Sequence, residues 1–143
     1  VEALFADLPR RNIHFAGELT APAYSQALAC GDLFFWPAIN EAYGMALLEA
    51  QALGLPALAG RQGGVPAIVE ADVTGLLAAP EDPAAFARQL ELLLRDPVRR
   101  QAMGAAARQK AQDQHSLPAA SAHLNAALAA LSAHRDASRD PGA

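Results

Sequence analysis

Three short apolar runs, each closed by proline or glycine and each followed by a helix-like stretch, constrain this fold more than any other feature. They are residues 32–36 (Asp-Leu-Phe-Phe-Trp), 55–59 (Leu-Pro-Ala-Leu-Ala) and 74–78 (Thr-Gly-Leu-Leu-Ala). Runs this short, bounded by breakers, read as buried strands. The segments between them have helical period: residues 44–53 stop at Gly54, and a shorter stretch spans 65–70. Short buried strands alternating with helices specify a parallel α/β sheet covered on both faces.

The flanking segments extend this pattern. Residues 1–8 read as the end of a helix stopped by Pro9, and 12–16 as a strand with Ile13 and Phe15 on one face. Thr20 is placed to cap a short helix with Pro22 in its first turn, running to about Cys30. Asp82-Pro83 opens a helix with Phe86, Leu90, Leu93 and Leu94 in helical register, and Asp96-Pro97 opens the next, to about Gln114. A third runs from about Pro118 to His134, with Leu124, Leu128 and Leu131 on one stripe. Residues 1–134 are therefore expected to form one domain, and 135–143, polar with Pro and Gly, a disordered tail.

Composition narrows the function. Charged residues are only 18% and the net charge of −4 has no basic block behind it, which disfavours nucleic acid as a partner. No apolar stretch is long enough to span a bilayer. The single cysteine, Cys30, excludes an internal disulfide and a cysteine-based zinc site, and His14, His115, His123 and His134 lack metal-ligand spacing. No metal and no cofactor are expected. A cytoplasmic location is the default, with peripheral contact at a membrane left open.

Ligands of parallel sheets bind outside the carboxyl ends of the strands. The loops after Trp36 and after Ala59 leave the same sheet edge, and both carry unusual residues: Glu41 to Gly44, and Gly60 to Gly64. Gly44 lets a ligand approach the backbone at a helix start. The N–H groups of Tyr43, Gly44 and Met45 suit a phosphate or diphosphate. Glu49, about one and a third turns into the helix, is placed to accept hydrogen bonds from the hydroxyls of a ribose, and Glu41 to reach a sugar. Simpler readings exist for each: Glu41 as a helix-start acid, Glu49 as a solvated helix residue, Gly63-Gly64 as a turn. Tyr43 and Trp36 read more naturally as core aromatics than as stacking platforms, Arg61 as a solvated loop residue, His14 as buried or capped and Cys30 as a small core residue.

The pattern resembles the donor-side, C-terminal domain of retaining GT-B glycosyltransferases of family 4. Their signature is Glu, any residue, Phe or Tyr, Gly, four residues and a second Glu, after a strand ending in Pro. Here it is Pro37, Glu41, Tyr43, Gly44 and Glu49. An EA-x-A-x-G-x-P run follows as Glu49-Ala50-Gln51-Ala52-Leu53-Gly54-Leu55-Pro56. Then come Gly63-Gly64-Val65-Pro66, the Thr74–Leu77 run and Asp82-Pro83. Five elements in order, over roughly residues 11 to 115, carry the resemblance. It implies a Rossmann-like parallel sheet flanked by helices, the C-terminal half of a GT-B fold, incomplete at its N-terminus and with extra C-terminal helices.

The resemblance also implies roles. Glu49 would hold the ribose hydroxyls of a nucleotide-diphosphate sugar, Glu41 would contact the sugar near the reacting carbon, and backbone at Tyr43, Gly44 and Met45, with Gly63 and Gly64, would meet phosphate and sugar. Glu18 and Leu19 would lie near the base. The implied partners are the nucleotide sugar, an acceptor glycan, lipid or small molecule, and an N-terminal GT-B domain. Two positions depart from the family. Ala67 stands where a Glu usually follows the Gly-Gly-x-Pro proline. The Arg and Lys near the start of the family's donor half have no counterpart, the only lysine being Lys110. A non-catalytic nucleotide-binding or assembly module of the same fold is the alternative reading. GT-B phosphorylase or epimerase chemistry is a third, and Lys110 is badly placed for a phosphorylase's pyridoxal lysine.

Overall fold

The computed structural model describes residues 5, 7–37 and 39–139. Its centre is a parallel sheet of β1 (Phe34–Trp36), β2 (Ala57–Gly60) and β3 (Gly75–Ala78), in that order. Phe34 pairs with Ala57, and Ala57 with Gly75. Every residue of β2 and β3 is buried, as strands covered on both faces require. Helix α1 (Ala21–Ala29) precedes β1. Helices α2 (Met45–Ala52) and α3 (Val65–Ile68) lie in the two crossovers, and α4 (Pro83–Arg95), α5 (Pro97–His115) and α6 (Leu117–Arg139) follow β3. The architecture is the parallel α/β sheet that the sequence specifies.

Strand alternation divides the core. Ala57, Ala59 and Leu77 face one side with Leu47, Val65, Ile68 and Val69. Leu58, Leu76 and Ala78 face the other, with Phe86 and Leu93 of α4 and Met103 of α5. Each buried leucine contributes about 2 kcal/mol relative to exposure. Helix α4 starts where Asp82 accepts from the Ala85 amide at 2.8 Å, and α5 where Asp96 accepts from the Arg99 amide at 2.9 Å. Pro97 prevents continuation of α4, and its last carbonyls, Leu93 and Leu94, accept from Arg100 Nη1 at 2.7 and 3.1 Å. Close helix packing needs Gly104, where a Cβ would overlap the Gly54 carbonyl.

Several local expectations change. Residues 12–16 form no strand: Asn12 closes a 3-10 turn, β1 has β2 as its neighbour, and 13–16 join no ladder of the three-stranded sheet. Alternation at Ile13 and Phe15 is a weak signal without a pairing partner. Thr20 makes no side-chain cap to α1, and α1 contains no fully buried residue. Cys30 and His14 are exposed, not buried, because α1 and its approach lie on the surface. Leu94 falls off the buried stripe of α4 at 59% exposed, and Leu124, Leu128 and Leu131 of α6 are exposed too. Helix α6 continues through Arg139, past His134. The expected helix end over 1–8 falls largely outside the described residues, as do 140–143 of the expected tail.

Candidate functional site

The loop between β1 and α2 folds around Glu41. One carboxylate oxygen accepts from Trp36 Nε1 at 3.1 Å. The other accepts from the Gly44 amide at 2.9 Å and, more weakly, from the Tyr43 amide at 3.4 Å. Trp36 is half-buried and stacked on Phe34, with ring centroids 5.7 Å apart. Glu41 therefore ties the end of β1 to the start of α2. Gly44 begins α2 with φ 96°, a conformation that favours glycine, and its own Cα is buried. Of the three amides expected to meet phosphate, two are taken up by Glu41. The Met45 amide, at the first helical position, has no acceptor within the helix, as at any helix start.

The loop after β2 interlocks with this one. A Cβ on Gly63 would overlap the Glu41 carbonyl, and one on Gly64 would overlap the Ala42 carbonyl and lie 2.8 Å from Tyr43 Cα. Gly63 has φ 51°. The glycine pair is thus more than a turn: it is the only residue type that permits the two strand-end loops to touch. Arg61 is exposed at the head of this loop. Ala67 sits exposed on α3, and Glu70, after it, lies 4.0 Å from Lys110.

Glu49 is exposed on α2, as a solvated helix residue would be, and faces α1. It lines a hollow of about 290 Å³ with Ala21, Tyr24, Ser25 and Leu28. The Tyr24 phenol is pushed above its usual pKa by burial first, then by the Glu49 charge and a hydrogen-bonding interaction with that carboxylate. Leu19 is half-buried and Glu18 exposed just before α1.

Tyr43 and Met45 are 46% and 56% exposed, so Tyr43 is not the core aromatic that its residue type suggests. Its hydroxyl lies 3.4 Å from Nδ1 of His115, the last residue of α5. Burial, then the Lys110 charge, lowers the His115 pKa below 6.5. Its Nε2 is covered and lacks a hydrogen-bond partner among the described residues. Sequence reading missed His115, because no spacing links it to a loop 72 residues away. Among the described residues no group of three His, Cys, Asp or Glu is arranged for a metal, and no helix is long and apolar enough to cross a membrane.

Known proteins resemble this chain in sequence and in fold. The profile of the family described as "Glycosyl transferases group 1" matches residues 6–110. Sulfoquinovosyl transferase SQD2 of Arabidopsis thaliana is 38% identical over 115 residues, covering 78% of this chain and 22% of that protein. Sucrose-phosphate synthase from Thermosynechococcus elongatus superposes with a TM-score of 0.82 at 26% identity, over 93% of this chain and 34% of the other. Anabaena HepE in complex with UDP-glucose superposes at 0.65 and 23% identity, over 73% of this chain and 29% of the other, a likeness of fold. The chain thus spans about a fifth of the matched relative and a third of the matched structure. From the family match and the fold together, the chain belongs to the glycosyl transferases group 1 family, with the Rossmann-like C-terminal half of the GT-B fold.

Proposed function

We propose that this chain binds the nucleotide-diphosphate sugar of a retaining glycosyltransferase. The observation that carries the reading is the interlock of the two glycine-bearing loops at one edge of a parallel sheet, where such folds bind ligands. Glu49 accepts hydrogen bonds from the ribose hydroxyls above the hollow against α1. The Met45 amide and the α2 N-terminus meet the diphosphate. Arrival of the phosphates draws the Tyr43 and Gly44 amides from the Glu41 carboxylate, which turns towards the sugar. Gly63 and Gly64 keep that approach open, and Leu19 lies towards the base. HepE, of the same fold, holds UDP-glucose, which supports a nucleotide sugar here.

In the reaction the bond between the anomeric carbon and the diphosphate oxygen breaks. A new bond forms to the acceptor oxygen, whose proton passes to the departing diphosphate, and the nucleoside diphosphate leaves. Glu41 stabilises positive charge developing at the sugar, and the amides stabilise the leaving diphosphate, both as electrostatic preorganisation. Neither metal nor cofactor is required in this scheme. The acceptor, a glycan, lipid or small molecule, is brought by an N-terminal GT-B half, and the isolated 143 residues transfer no sugar. Peripheral membrane contact would suit a lipid acceptor.

Titration of the full-length protein with nucleoside diphosphates tests the ribose role. Glu49→Ala is expected to weaken binding by about 10- to 100-fold, the scale of hydrogen bonds to a charged group. Unchanged affinity would sink it. A non-catalytic binding or assembly module draws support from Glu41, whose carboxylate is already satisfied by Trp36 and its own loop amides, and from Ala67. Turnover of a nucleotide sugar by the full-length protein excludes that reading.

A further inference from the structure

We propose that His115 is a positioning residue for the donor site, anchoring Tyr43 and so holding the loop whose amides face the phosphates. This rests on the site reading above. Tyr43 is 46% exposed, so burial does not fix its ring. Its hydroxyl instead meets His115 Nδ1 at 3.4 Å, across 72 residues of sequence. The amide of Tyr43 and that of Gly44 belong to the peptide units on either side of the anchored ring, and both point at Glu41. Whatever restrains this ring restrains them.

His115 is a firm post. It ends α5, and the chain turns at Ser116 with extended geometry, φ −76° and ψ 159°, before α6 begins. Ser116 Oγ accepts from the Ala119 amide at 3.3 Å, which fastens the start of α6 on the other side. The charge of Lys110, on the same helix and 4.0 Å from Glu70, acts on the imidazole. Burial and Lys110 both favour the neutral ring. A neutral ring has one nitrogen to accept from or donate to the phenol, and serves as a hydrogen-bond partner rather than a phosphate-binding cation. The signature shared with the family tolerates Phe at position 43, and Phe cannot make this bond. The anchor is therefore additional to the motif.

The test uses full-length protein with Tyr43→Phe, His115→Phe, the pair together, and His115→Asn, which returns a polar atom near the place of Nδ1. Two quantities are read: affinity for the tightest of UDP, ADP and GDP, and hydrogen exchange of the amides in residues 41–44. Each single Phe variant is expected to weaken binding by about 3- to 10-fold, the scale of a neutral hydrogen bond, and to speed exchange of those amides. The double variant should match the weaker single, and His115→Asn should recover part of the affinity. Additive losses, or unchanged affinity and exchange, would overturn the anchor. Failure of the site reading is separable. Wild-type protein that binds none of the three diphosphates overturns both, whereas binding that responds to Glu49→Ala but not to Tyr43→Phe or His115→Phe overturns the anchor alone.

Discussion

At the scale of single residues, the site depends on atoms that are missing as much as on those present. Gly64 faces the Ala42 carbonyl and Tyr43 Cα with no space for a methyl group. Gly64→Ala is expected to cost about 1–3 kcal/mol by overpacking, read as a lower denaturant midpoint, and to displace the motif loop. Thr74 carries a different load. Its buried hydroxyl accepts from Gln51 Nε2 at 3.0 Å and from the Glu70 amide at 2.9 Å, linking α2 to the loop before β3. Thr74→Val removes one acceptor from two donors, and a loss of about 2–4 kcal/mol is expected from chemical unfolding. A loss below about 0.5 kcal/mol would show that water replaces the hydroxyl. Glu41, read from sequence as a sugar-facing acid or a helix-start acid, meets the second description in its contacts. The first describes its proposed work with ligand bound.

At the scale of elements, legibility followed local chemistry. Helices α4 and α5 were readable to within a residue at their starts, because Asp-Pro both caps and initiates. Strands β2 and β3 were readable as short apolar runs, though β2 starts at Ala57 rather than Leu55. Asp82→Ala is expected to destabilise by about 1 kcal/mol, as cap removal does, seen as a lower Tm with no change in nucleotide affinity. What sequence did not reveal was anything settled by a distant partner. The stretch 12–16 has strand-like alternation but no ladder. Helix α1 has a good cap residue, Thr20, that makes no cap bond, and it lies on the surface, which leaves Cys30 exposed. Glu49 was readable as a solvated helix residue, but nothing in the sequence signalled that its face of α2 opens on a hollow beside Tyr24. The motif spacing located the site loops; their interlock at Gly63-Gly64 could be suspected from the shared sheet edge, whereas the His115 contact had no local sign.

At the scale of the whole molecule, one ring couples stability to acidity. The pKa of His115 is below 6.5 in the folded chain. Between that value and 6.5 the unfolded chain binds the proton more readily, so stability is held above pH 6.5 and lost as the pH falls through the folded value. His115→Phe should therefore flatten the fall in Tm between neutral pH and pH 5 relative to wild type. An identical slope would mean the ring titrates freely. The order of the sheet bears on how the molecule is made. Each strand pairs with the next one along the chain, so the sheet can close strand by strand as the polypeptide emerges from the ribosome. Tyr43 is different, because its partner is 72 residues further on. At roughly 5–20 residues per second, the ribosome leaves that tyrosine without its histidine for several seconds after the loop has been synthesised. The loop that carries the motif is thus among the last parts of this domain to be fastened, and a nascent chain would acquire its sheet before it acquires a finished site.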